Sequence, residues 1–191
     1  INHLKIKEGQ TLIDLGCGAG MDIFVTKMKN PKVGMLYGLD RLDSMLDKAK
    51  KVRDNKGFDN IKFIKGELIN IPLEDKSVDR VISNCVINLE PDKQKVYDEI
   101  YRILKEDGMF VISDIILKKE LPLEWKNSSK MHCTWVAGAL LGEEMTEIIE
   151  KAGFTKFQII NSDVTDEYAE KWGYGKGMKD YIQSGLLIGR K

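Results

Sequence analysis

Short β-type runs alternate with helical patterns over most of this chain, and that alternation is what most limits its fold. Residues 11–15 form an apolar run that breaks into Gly16-Cys17-Gly18-Ala19-Gly20, and residues 21–29 follow with helical spacing until Asn30-Pro31. A second strand is expected at 35–40. A helix follows through Lys56, with Ser44 as its N-cap, a stripe of Met45, Leu46, Ala49 and Val52, and Gly57 as its stop. Strands at 61–65 and 78–83 come next, then a helix capped by Asp92 that carries Val96, Ile100, Ile103 and Leu104 and ends at Asp107-Gly108. After a strand at 109–114 the rhythm lapses over 118–141. A helix at 142–152, a strand at 154–161 and a last strand at 181–190 complete the reading, with a glycine-rich loop at 173–177.

Strands separated by helices of this length call for a mostly parallel sheet covered on both faces. Ligands of such sheets bind beyond the carboxyl ends of the strands. Here those ends are Gly16 to Gly20, Asp40, Gly66-Glu67, Asn84-Cys85 and Asp114. A length of 191 residues suits one domain, with 118–141 as an irregular insertion that can cover the site at these strand ends.

Charge narrows the partners. Thirty Lys and Arg balance thirty Asp and Glu, so no broad basic face is available for nucleic acid. Apolar runs such as 111–117 are too short to span a bilayer, and no basic-then-apolar leader opens the sequence. The three cysteines, Cys17, Cys85 and Cys133, are odd in number and widely spaced, with no Cys-x-x-Cys pair. A reduced, cytoplasmic setting is expected, in which free thiols can act as ligands or nucleophiles.

The glycine loop sits between a strand and a helix and is preceded by Asp14. Its spacing is Gly-x-Gly-x-Gly, with Met21 where a dinucleotide fingerprint places its third glycine. Asp14-Leu15-Gly16-Cys17-Gly18-Ala19-Gly20 resembles the cofactor loop of class I methyltransferases that use S-adenosylmethionine. The resemblance implies a Rossmann-like α/β fold: a seven-stranded, mostly parallel sheet, its last strand antiparallel, with helices on both faces. It also implies that Asp40 accepts hydrogen bonds from two ribose hydroxyls, that Glu67 and Leu68 lie by the adenine, and that Met45 packs on an adenine face.

At the end of the fourth strand, where the acceptor meets the methyl group, there is neither histidine nor lysine but Cys85. Ser83-Asn84-Cys85-Val86-Ile87-Asn88-Leu89, with Pro91-Asp92-Lys93 after it, resembles the signature of arsenite methyltransferases. So does Cys133-Thr134-Trp135-Val136-Ala137-Gly138-Ala139-Leu140, and the likeness extends through Ser113-Asp114-Ile115 and Ala152-Gly153-Phe154. It implies methylation of trivalent arsenic held by Cys85 and Cys133, with Asn84 near the amino-acid end of the cofactor. Arsenite would enter as a thiol adduct, supported by a cellular thiol reductant. Soft arsenic suits thiolate ligands, and its lone pair needs no base to unmask it.

That family commonly has another cysteine before the glycine loop, and none precedes Cys17 here. The sequence opens with Ile1, so either an upstream segment supplies it or two thiolates suffice. Cys17 itself reads as a small apolar filler or a turn position, His132 as a loop or interface residue, and Trp125 and Trp135 as packing residues of the cover. Two other readings stay open. One is methylation of a small organic acceptor, a quinone precursor or a thiol, with His132 or Glu67 beside it. The other is arsenic or metal binding without catalysis.

Overall fold

A computed structural model describes residues 3–122, 125, 136, 138–171 and 177–191. Strands β1 (Leu12–Leu15), β2 (Leu36–Asp40), β3 (Ile61–Lys65), β4 (Val78–Asn84), β5 (Leu104–Leu117), β6 (Lys156–Asp163) and β7 (Ile182–Arg190) form one sheet in the order β3-β2-β1-β4-β5-β7-β6. The five strands β1–β5 pair in parallel, while β7 lies antiparallel between β5 and β6. This is the expected seven-stranded sheet with an antiparallel last strand.

Consecutive strand residues point to opposite faces, and both faces are apolar. On one side Ile13, Leu15, Val81, Phe110 and Ile112 meet α3 (Lys93–Ile103) through Val96, Tyr97 and Ile100. The same face meets α4 (Gly142–Lys151) through Met145 and Ile149. On the other side Leu12, Leu36, Phe63, Ile82 and Val111 meet Ile23 and Phe24 of α1 (Met21–Lys29) and Leu46 and Ala49 of α2 (Asp43–Lys56). A third cluster joins Ile115, Leu117, Leu121, Val136, Ala139 and Ile182 beyond the top of β5. There Trp125 packs edge-on against Tyr181, with ring centroids 5.0 Å apart.

Three local expectations are corrected. α2 begins at Asp43, with Leu42 rather than Ser44 at the cap position, because Asp40 Oδ1 accepts the Leu42 amide at 2.9 Å and sets the start. α3 stops at Ile103. Leu104 has ψ 134 and pairs with Val78, so the turn through Asp107 (φ 62) lies in a bulge inside β5 rather than at a helix end. A short helix, α5 (Asp166–Lys171), follows β6 where no element was expected. The Asp92 cap is as read, its carboxylate accepting the Lys95 amide at 3.1 Å, and Gly57 ends α2 at φ 65. Among the described residues no helix is long and apolar enough to cross a membrane.

Candidate active site

Register brings the strand ends level. Leu15 stands opposite Leu39 and Ser83, and Asn84 stands opposite Ser113, so the chain leaves β1, β2 and β4 along one rim of the sheet. β5 runs past that rim to Leu117, and Asp114 lies inside the strand rather than at the expected end. Ser83 Oγ donates to the Leu15 carbonyl at 2.9 Å and ties the two central exits together.

The glycine loop turns at this rim. The amides of Gly16 and Cys17 both donate to the Leu39 carbonyl, at 2.8 and 2.9 Å. Gly16, at φ 72, needs its missing side chain twice over: left-handed backbone disfavours a Cβ, and a Cβ there would fall 2.7 Å from both Val86 methyls. The Gly18 amide donates to Asp40 Oδ2 at 2.8 Å, and the Leu42 amide takes Oδ1. Each carboxylate oxygen has a second lone pair, so Asp40 can still accept from two neighbouring hydroxyls while holding the loop. Gly20, at φ 84, caps α1.

Between these exits lies a cleft of about 160 Å³. Its walls are Gly16, Asp40, Arg41, Leu42, Gly66, Glu67, Leu68, Val86, Leu89 and Glu90. Four apolar side chains suit a flat ring, while Asp40 and Glu67 face polar edges. Met45, on α2, is half-buried and does not line it; Leu42 and Leu68 stand there. Leu42 and Glu90 were not named from sequence, and Val86 and Leu89 were named only as members of the Ser83–Leu89 signature, since only the convergence of three loops brings the four together. Asn84 borders a smaller cleft of about 120 Å³ with Asp22, Ser83 and Ser113.

Asp14 is buried at 3 % exposure beside this rim. Burial pushes its carboxyl well above the ordinary range, and the charges of Asp22 and Asp40 add to the effect. The Cys17 thiol is pushed up by burial and by Asp14 and Asp40, and its Sγ packs under the loop against Gly38. That is the filler position expected of it.

Cys85 is the first residue beyond β4 and is half-buried. Its backbone is left-handed at φ 53, and its amide donates to the Ser113 carbonyl at 2.8 Å. Burial, with the Asp114 charge, pushes its thiol up to about 11, so the resting group is the neutral thiol. Cys133, His132 and Trp135 lie outside the described residues, as do 173–176 of the glycine-rich loop. Among the described residues no group of three or more His, Cys, Asp or Glu could hold a metal ion.

A family model described as a methyltransferase domain matches residues 6–153. The arsenite methyltransferase of Halobacterium salinarum is 33% identical over 183 residues, covering 96% of this chain and 47% of that protein. The human arsenite methyltransferase is 33% identical over 162 residues, covering 80% of this chain and 43% of that one. A crystal structure of an arsenic(III) S-adenosylmethionine methyltransferase from Chlamydomonas reinhardtii superposes with a TM-score of 0.74 at 31% identity, covering 96% of this chain and 63% of that one. The chain thus spans about half the length of the curated relatives it matches.

Proposed function

The chain belongs to the methyltransferase-domain family, and from that premise we propose that it methylates trivalent arsenic held by the thiolate of Cys85. The observation that carries the reading is the placement of Cys85. It follows the end of β4, and its neighbour Val86 forms a wall of the nucleoside-shaped cleft. The names of the relatives agree with it.

When bound, S-adenosylmethionine supplies an electrophilic methyl group on a sulfonium. The chain's residues fit this cofactor. Asp40 has acceptor capacity left for a vicinal diol, Leu42, Leu68, Val86 and Leu89 offer apolar contact for the ring, and Glu67 lies at the cleft's edge. Gly18, where an added Cβ would meet nothing within 4 Å, leaves open space over the loop. Gly16 and Gly20 shape the turn, Asp14 lies buried beneath it, and Asn84 faces the amino-acid end.

Arsenite arrives as a thiol adduct. Cys85 exchanges with one of its thiols: an S–As bond forms, another breaks, and the Cys85 proton leaves on the released thiol. A neutral resting thiol is compatible with that exchange. Arsenic keeps its lone pair, so no residue need remove a proton before transfer. Cys133 would be the second ligand, residues 118–141 the cover that excludes water, and the setting a reducing cytoplasm in which arsenic is detoxified.

Cys85→Ser should abolish arsenic methylation, measured by product speciation with arsenite, labelled cofactor and a thiol reductant. S-adenosylmethionine should still bind by calorimetry. Undiminished arsenic methylation by that variant would sink the proposal.

A further inference from the structure

Cys85 holds a conformation it would not choose. Left-handed backbone is unfavourable for a residue that carries a Cβ, so its surroundings must impose it. The residues after it supply the reason. Ile87–Leu89 form one 3-10 turn whose cap residue, Val86, makes no side-chain hydrogen bond, leaving the first amides of the turn without a local acceptor.

The acceptor comes from the neighbouring strand. Asp114 Oδ2 accepts the Asn88 amide at 3.1 Å. Its Oδ1 accepts Asn88 Nδ2 and the Ile115 amide, both at 2.8 Å, while Asn88 Nδ2 also reaches the Ile115 carbonyl at 2.8 Å. One residue earlier on β5, the Ser113 carbonyl takes the Cys85 amide. The thiol-bearing residue is thereby gripped from both sides by consecutive residues of one rigid strand.

We propose that Asp114 is a positioning residue for Cys85: with Asn88 as its partner, it fixes the turn after the thiol and so aims Sγ at the acceptor position. The assignment rests on the reading of Cys85 as the acceptor thiol. Its cost argues that it does more than finish a turn. Asp114 and Asn88 are both 3 % exposed, and a buried carboxylate is expensive where neutral capping groups would serve. Compensation is built around it. Lys93 is 7 % exposed at the start of α3, an unfavourable place for a cation, yet its charge favours the Asp114 carboxylate, and its Nζ donates to the Glu90 carbonyl at 3.0 Å. Gly138 closes the arrangement from above. A Cβ there would fall 1.9 Å from the Asn88 carbonyl and 3.3 Å from Lys93 Nζ, so the backbone lies directly on the turn.

Asp114→Asn keeps the shape but turns a donor toward amides that need an acceptor. Two readouts separate aiming from mere folding. The KM for arsenite should rise about tenfold with the KM for S-adenosylmethionine within about twofold, because a displaced ligand weakens one substrate and not the other. Independently of arsenic, and in Asn88→Ser, which leaves the Asp114 charge beside the thiol in place, iodoacetamide labelling of Cys85 near neutral pH, followed by peptide mass spectrometry, should accelerate about threefold while Cys17 labelling stays constant. If Asp114→Asn does not fold, Asn88→Ser, which keeps the backbone bond and removes the Nδ2 bonds, carries the KM readout at about threefold. Unchanged Cys85 labelling in folded Asn88→Ser, or a fall in kcat with both KM values constant, overturns the proposal. Accelerated labelling in a protein that does not methylate arsenite would instead reject the acceptor and keep the positioning role.

Discussion

The buried carboxylate of Asp114 gives a stability prediction with a definite sign. Burial raises its pKa from the ordinary 3.8 to about 6, although the amides of Ile115 and Asn88 and the charge of Lys93 pull the other way. Between those values the folded protein binds more protons at this site than the unfolded chain, so stability from the site is fully present below about pH 4 and is lost as pH rises through about 6. A rise of about 2 units at 1.36 kcal/mol each amounts to about 3 kcal/mol. Burial also pushes the Asp14 carboxyl up, so the measurable quantity is a difference. Urea unfolding of the native protein and of Asp114→Asn, each between about pH 4 and 8, should show the native protein losing about 3 kcal/mol relative to the variant, nearly all of it by about pH 7. A difference that is flat to within about 1 kcal/mol, or that grows in favour of the native protein as pH rises, would refute the argument. It would mean that the turn amides and Lys93 offset the burial of the charge.

Three further outcomes test the rest of the site. Gly16→Ala combines left-handed strain with overlap against the stiff Val86 side chain, and should cost about 2–4 kcal/mol in urea unfolding and at least about tenfold in S-adenosylmethionine affinity; adding Val86→Ala should return part of the stability but not the strain. Asp40→Ala removes the acceptor of the Gly18 and Leu42 amides along with the diol contact, so calorimetry should find the affinity down about 100-fold or more, while arsenite-thiol exchange at Cys85, followed by labelling protection, is spared. The Tyr97 hydroxyl is buried with no hydrogen-bond partner among the described residues, so Tyr97→Phe should leave stability unchanged or raise it by up to about 1 kcal/mol; a loss above about 1 kcal/mol would reveal a partner.

How far the sequence alone could be read follows from the range of each interaction. Strand and helix periods are local, and β1 to β4 were readable to within a residue or so, as was Gly57 as a stop. Leu104 shows where locality fails. It continues the apolar stripe of Val96, Ile100 and Ile103, and only its pairing with Val78, twenty-six positions earlier, makes it the start of a strand. Ser44 misled for a related reason: Asp40, acting from the end of β2, starts α2 before any capping residue is needed. α5 has six residues, too few for a hydrophobic period to declare itself.

The site divides along the same line. Gly16, Gly18, Gly20 and Asp40 could be named because one strand-helix-strand unit, β1 to β2, sets their spacing, and the bonds from Gly18 and Leu42 to Asp40 show what the spacing builds. Asp114 could be placed only at a strand end, with no role. Its function depends on register: Asn84 opposite Ser113 puts the next residue of β5 under the turn that follows Cys85. The motif around Cys85 therefore carries half of its own explanation. Asn88 stands three residues after the thiol because its amide and side chain must both reach a carboxylate on β5, and Gly138 is small because it packs on the Asn88 carbonyl. A substitution at Asp114 or Asn88 should misplace the thiol as well as change stability, whereas a side chain at Gly138 would first collide with the Asn88 carbonyl.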